Sequence, residues 1–153
     1  MRKLPIKSGR GRQYAALPFI EENGETKVLL VTSRETRRWV FPKGWAEKGL
    51  SGPELARKEC FEEAGVRGEV APKKVGTYTY MKRMADGREV DCKVDVFPMH
   101  VTQVLDAWPE RGQRERRWFT LSQAAFEVEE GELVTLLLRL AAPDPARSGP
   151  DAA

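Results

Sequence analysis

The chain has 153 residues, 41% hydrophobic and 32% charged. That is enough for one soluble α/β domain with a real core and excludes a disordered or fibrous chain. The net charge is +3. No apolar run nears the ~20 residues that cross a bilayer, and no apolar segment follows the charged start at Met1 to Lys7, so the expectation is a cytoplasmic protein without membrane contact or secretory leader.

In chain order, residues 1–9 form a basic extension, and Gln13 to Ile20 (QYAALPFI) read as a strand in which Pro18 suggests an edge or bulge. Asn23-Gly24 is a strong hairpin signal, because both residues tolerate positive φ, and Lys27 to Thr32 is the returning strand. Arg34 to Arg38 is a basic loop, and Trp39-Val40-Phe41 a short apolar strand closed by Pro42. A glycine-rich loop, Lys43 to Gly52, leads to a helix with Ser51 as N-cap, Pro53 in the first turn and Gly65 past the end. Val75 to Lys82 and Val90 to His100 are strands joined around Asp86-Gly87, and the second alternates apolar Val90, Cys92, Val94 and Val96 with charged neighbours. Arg116 to Thr120 is another strand, Ser122 starts a short helix, and Glu130 to Leu140 is an apolar helix. Residues 141–153, rich in Pro, Ala, Gly and Asp, read as a disordered tail. This order implies one domain over residues 10–140, an α/β fold with a mixed sheet between helices.

Cys60 and Cys92 lack metal-ligand spacing and read as reduced, buried small hydrophobes. His100 is the only histidine, which argues against a histidine-built zinc site or a histidine-based triad. The informative residues are Glu59, Glu62 and Glu63. At i, i+3 and i+4 they share one helix face, and hard carboxylate oxygens beside a pliant glycine-rich loop suit Mg²⁺ and phosphate.

The stretch from Gly44 to Val66, GWAEKGLSGPELARKECFEEAGV, resembles the Nudix box, GX5EX7REUXEEXGU with U a bulky aliphatic residue. Gly44, Glu59, Glu62, Glu63, Gly65 and Val66 fall on it in register, and Cys60 takes a U position loosely. Leu50 stands in place of the first Glu and Lys58 in place of Arg, which keeps the charge but loses the planar fork; Glu47 lies near enough to substitute for the missing acid. The flanks RRWVFPKGW and AWPERGQRERRWFTLSQAA resemble diphosphoinositol polyphosphate phosphohydrolases and their bacterial relatives.

The resemblance implies a Nudix-type α/β/α sandwich and Mg²⁺-dependent hydrolysis of a phosphoanhydride bond, with Mn²⁺ as an alternative metal. It implies Glu59, Glu62, Glu63 and Lys58 as catalytic residues, and Glu59, Glu62, Glu63, a carbonyl near Gly44 and Glu115 as metal ligands. The base is Glu59, Glu110 or Glu115. Arg10, Arg12, Arg34, Arg37, Arg38, Lys43, Arg114 and Arg116 are the candidates for binding substrate phosphates. Trp45 either stacks on a base or packs the loop, and Trp108 and Trp118 read as core or rim aromatics. The expected partner is an anionic phosphorylated small molecule, such as a diphosphoinositol polyphosphate or dinucleoside polyphosphate, met by a monomer or homodimer. A nucleoside triphosphate or ADP-ribose pyrophosphatase, and a degenerate domain that binds nucleotide or RNA without cleaving it, are the alternatives. Nucleic acid is the weaker option, since the basic clusters are not interleaved with aromatic residues.

Overall fold

The computed structural model describes residues 10–143; the basic extension and most of the expected tail lie outside them. The elements are β1 (Arg10–Glu22), β2 (Glu25–Thr32), β3 (Trp39–Val40), β4 (Lys43–Trp45), α1 (Gly52–Ala64), β5 (Val66–Val70), β6 (Gly76–Arg83), β7 (Glu89–Val104), β8 (Arg116–Thr120), α2 (Leu121–Glu127) and α3 (Gly131–Ala141). The strands form one eight-stranded mixed sheet with the path β3-β2-β1-β7-β5, to which β4, β6 and β8 add on β1, β7 and β2. The β1·β7 pair is parallel and the others are antiparallel.

Strand parity divides the core. On one face Ala15, Leu17, Val28, Leu30, Val94 and Val96 pack with residues of α2 and α3, including Ala124, Leu133 and Leu136. On the other Ala16, Leu29, Val31, Phe97 and Met99 pack with Ala56, Cys60 and Ala64 of α1. Because both faces are covered, β1 and β2 carry runs of consecutive buried residues instead of a polar alternation. The result is the expected α/β/α sandwich.

Some local expectations need correction. Pro18 lies in an interior strand and not at an edge, since β1 has β7 on one side and β2 and β4 on the other. Pro18 pairs with Met99 of β7, but the Ala16 N–H, of the same parity, points away from β7 to the Pro42 carbonyl at 2.9 Å, so the missing N–H of Pro18 falls on the side where residues 16–18 lie between the β4 pairs and the β2 pairs. The first residues of the glycine-rich loop are strand β4, paired to Gln13–Ala15. Among the described residues, no helix is long and apolar enough to cross a membrane.

Helix α1 carries the site and is firmly specified at both ends. The Ser51 side chain accepts from the Glu54 N–H at 3.2 Å and the Glu54 carboxylate accepts from the Ser51 N–H at 3.0 Å, a reciprocal capping box. At the other end Gly65 adopts φ 67°, the left-handed cap conformation that glycine takes without steric cost.

Candidate active site

Glu59 and Glu63 are one helical turn apart on α1, and both are buried. Gly44 of β4 presses directly on the Glu59 carboxylate, and a β-carbon at position 44 would occupy the space of its Oε1. The box glycine is thus fixed by close approach of backbone to acid. Burial is the largest influence on Glu63 and raises its pKa to about 8; Arg114 opposes this, while the adjoining Glu59 charge and its hydrogen bond to Glu63 reinforce it. Two neighbouring buried carboxylates present hard oxygen donors close together, and a divalent cation would offset the cost of holding both charges there. The donor set therefore fits Mg²⁺ or Mn²⁺. Glu62 is half-buried on the flank of this pair. Among the described residues, no three acidic, histidine or cysteine side chains already form a closed cage.

Lys43, beside Gly44, lies with its Nζ 5.5 Å from the centre of the Tyr80 ring. Burial lowers its pKa to about 8, against the raising effect of the Glu63 and Glu130 charges. The two departures in the box also find a physical answer. Lys58 Nζ donates to Glu47 Oε2 at 2.9 Å, and the Glu47 side chain is 3% exposed. Burial lowers the Lys58 pKa, but the Glu47 hydrogen bond and charge outweigh this and the net shift is upward. The acid three residues ahead of Leu50 thus pairs with the lysine that stands in the arginine position.

The structure distributes the expected phosphate-binding residues unevenly. Arg114 is close to the acids: its Nη2 is 3.9 Å from Glu63 Oε1, its Nε donates to Glu110 at 2.8 Å, and its Nη1 donates to the Thr32 carbonyl at 3.2 Å. Arg38 donates to the buried carboxylate of Glu130 at 2.7 Å and lies 3.5 Å from that of Glu129. Arg12 pairs with Asp95 at 2.7 Å. Arg34 and Arg37 reach across to Gln113, and Arg10 is exposed at the start of β1. Arg116 points at main-chain carbonyls of Ala64, Gly65 and Leu105, with its guanidinium 3.9 Å over the Trp108 ring. Of the late acids, Glu110 is held beside α1, whereas Glu115 is 64% exposed and lies 3.9 Å from Arg37. The ring of Trp45 covers Gly11, so this tryptophan packs β4 on the start of β1. The fastening of α1 by Trp108 and Arg116 is not legible in sequence, because a cluster of arginines ahead of a strand does not reveal which ones meet carbonyls.

The NUDIX domain family model matches residues 10–137. Nudix hydrolase 12, mitochondrial, of Arabidopsis thaliana is 37% identical over 122 residues, 78% of this chain and 59% of that protein. Diphosphoinositol polyphosphate phosphohydrolase 3-beta of Bos taurus is 28% identical over 118 residues, 76% of this chain and 68% of that protein. Among solved structures, the Ap4A hydrolase of C. elegans matches with a TM-score of 0.64 at 18% identity, over 86% of this chain and 96% of that one, a likeness of fold. This chain spans little more than half the length of the plant relatives it matches. With the domain matched from β1 into α3 and its acids in register on α1, the chain belongs to the NUDIX domain family.

Proposed function

We propose that this domain hydrolyses a phosphoanhydride bond in a polyphosphorylated small molecule, a diphosphoinositol polyphosphate or a dinucleoside polyphosphate, with Mg²⁺ as cofactor and Mn²⁺ as substitute. The observation that carries this reading is the buried Glu59–Glu63 pair set against Gly44. When bound, the cation would neutralise phosphate charge and acidify a water molecule. Glu59, Glu62 and Glu63 would hold it. Lys43, flanking Glu63, would supply positive charge where the phosphates lie. Lys58 would keep the helix and the loop that carries Glu47 together through their ion pair. Glu59, within the pair itself, is the acid assigned to take the proton from the attacking water, with Glu110 at the rim as the second candidate and Glu115 the least favoured because it faces Arg37.

The test is phosphate release from a panel of inositol pyrophosphates, dinucleoside polyphosphates, nucleoside triphosphates and ADP-ribose, with Mg²⁺ and then with a chelator. Turnover of a member of the first two classes, abolished by the chelator, is expected. Glu59→Gln and Glu62→Gln should each lower kcat by about a hundredfold or more. Near wild-type turnover in both variants would refute the assignment.

A further inference from the structure

The last turn of a helix is its weakest part, because its final carbonyls have no partners within the helix. In α1 that turn carries Glu62 and Glu63, side chains that must hold their geometry to within about 0.5 Å if they are to ligate a metal. The segment from Leu105 to Arg116 resolves this conflict. Glu110 donates its N–H to the Glu62 carbonyl at 3.0 Å, and Trp108 Nε1 donates to the Glu63 carbonyl at 3.2 Å. Arg116 Nη1 donates to the Ala64 carbonyl at 2.9 Å and to the Gly65 carbonyl at 3.2 Å, and the Leu105 N–H reaches Gly65 at 2.8 Å. Each carbonyl from Glu62 to Gly65 is therefore occupied by a donor from the segment that joins β7 to the start of β8. Trp108 also packs on Gly65, where a β-carbon would meet its ring, and the Arg116 guanidinium stacks 3.9 Å over that indole and donates to the Leu105 carbonyl at 2.8 Å. The guanidinium also places positive charge at the negative end of the helix.

We infer that Trp108 and Arg116 are positioning residues that set the metal affinity of Glu62 and Glu63 by fastening their helical turn. Arg116, which sequence places among the phosphate-binding arginines, acts on the acids through the backbone instead. This inference rests on the metal-dependent reading above. It concerns the protein before substrate arrives, so it is measured without turnover.

The experiment is titration of Mn²⁺ into the metal-free protein, followed by electron paramagnetic resonance, for wild type, Arg116→Met and Trp108→Phe. Methionine keeps an unbranched apolar stem over the indole but loses all three carbonyl bonds; phenylalanine keeps a ring on Gly65 and loses the bond to Glu63. With far-UV circular dichroism unchanged, each variant should bind Mn²⁺ about tenfold or more weakly, as for other residues that orient metal ligands indirectly. In steady-state assays at saturating metal, kcat should recover most of its loss and KM should stay within about threefold of wild type. Unchanged Mn²⁺ affinity with a raised KM would overturn the inference and make Arg116 a substrate clamp. If wild type binds no Mn²⁺ at millimolar levels, the metal-dependent reading itself fails. Should both variants fail to fold, amide exchange in the wild type decides. The N–H groups of residues 62–65 should exchange as slowly as those of residues 56–60, and fast exchange would refute the fastening.

Discussion

Gly44 has an ordinary place in a glycine-rich segment until its neighbour is considered, since the Glu59 carboxylate lies where a side chain would begin. Alanine there must displace either the acid or strand β4. Gly44→Ala should therefore leave the fold intact, because the strain falls on one side chain and not on a backbone contact, yet lower kcat by about a hundredfold through misplacement of a reacting group by roughly 1 Å. Stopped or steady-state phosphate release on the best substrate checks it, and unchanged kcat would mean that Glu59 does not need its observed position. Gly49 offers a contrast. It adopts φ 91° with open space around it, so its glycine is required by the turn and not by a neighbour. Sequence spacing placed the acids on one face and set the box in register. It left open that Glu59 and Glu63 are buried together and that Glu47 serves Lys58, because burial and ion pairing depend on how the loop folds back over the helix.

Helix α1 shows how local chemistry specifies an element. Its capping box joins Ser51 and Glu54 in both directions, and Ser51→Ala should cost about 1 kcal/mol of unfolding free energy. The Glu54 carboxyl is held below its ordinary pKa, first by the Ser51 main-chain N–H and then by its side chain. Its contribution is therefore present above the ordinary glutamate range and lost as pH falls through the lowered value. Urea unfolding of wild type and Glu54→Ala should show a stability gap at neutral pH that closes in acid; a gap that widened in acid would contradict the cap. These cap residues are short-range signals, and they read correctly from the sequence. Strand β5 does not, because its Arg67, Gly68 and Glu69 lack any apolar run, and pairing to β7 with a bulge at Arg67/Gly68 supplies what its own residues do not. Strand β4 is hidden for a related reason, since Lys43-Gly44-Trp45 has loop composition and is extended only by its pairing with β1. β7 runs to Val104, beyond the readable alternation, because β5 continues its ladder.

At the scale of the molecule, the two cysteines mark the two sealed faces of the sandwich. Cys60, on α1, lies fully buried in the layer between helix and sheet, and Cys92 is buried on β7 with the parity of Val94 and Val96, which face α2 and α3. Burial pushes both thiols to higher pKa, and for Cys60 the Glu63 charge adds to the effect. Neither sulfur should react with iodoacetamide at neutral pH until the domain opens, and both should react in denaturant. Mass spectrometry of the alkylated protein checks this, and rapid labelling of native Cys60 would show that the α1 layer breathes.

The parallel pairing of β1 with β7 has a consequence for how the domain is born. β1 supplies the bench on which β4, and with it Gly44, is laid, but β1's own parallel partner is translated only after the helix, β5 and β6 have emerged. A nascent chain that already displays every acidic residue of the box thus still lacks the rail that steadies their platform. Closing so long a loop is slow relative to forming α1, so competence should appear abruptly, only once β7 and the segment through Arg116 have cleared the ribosome.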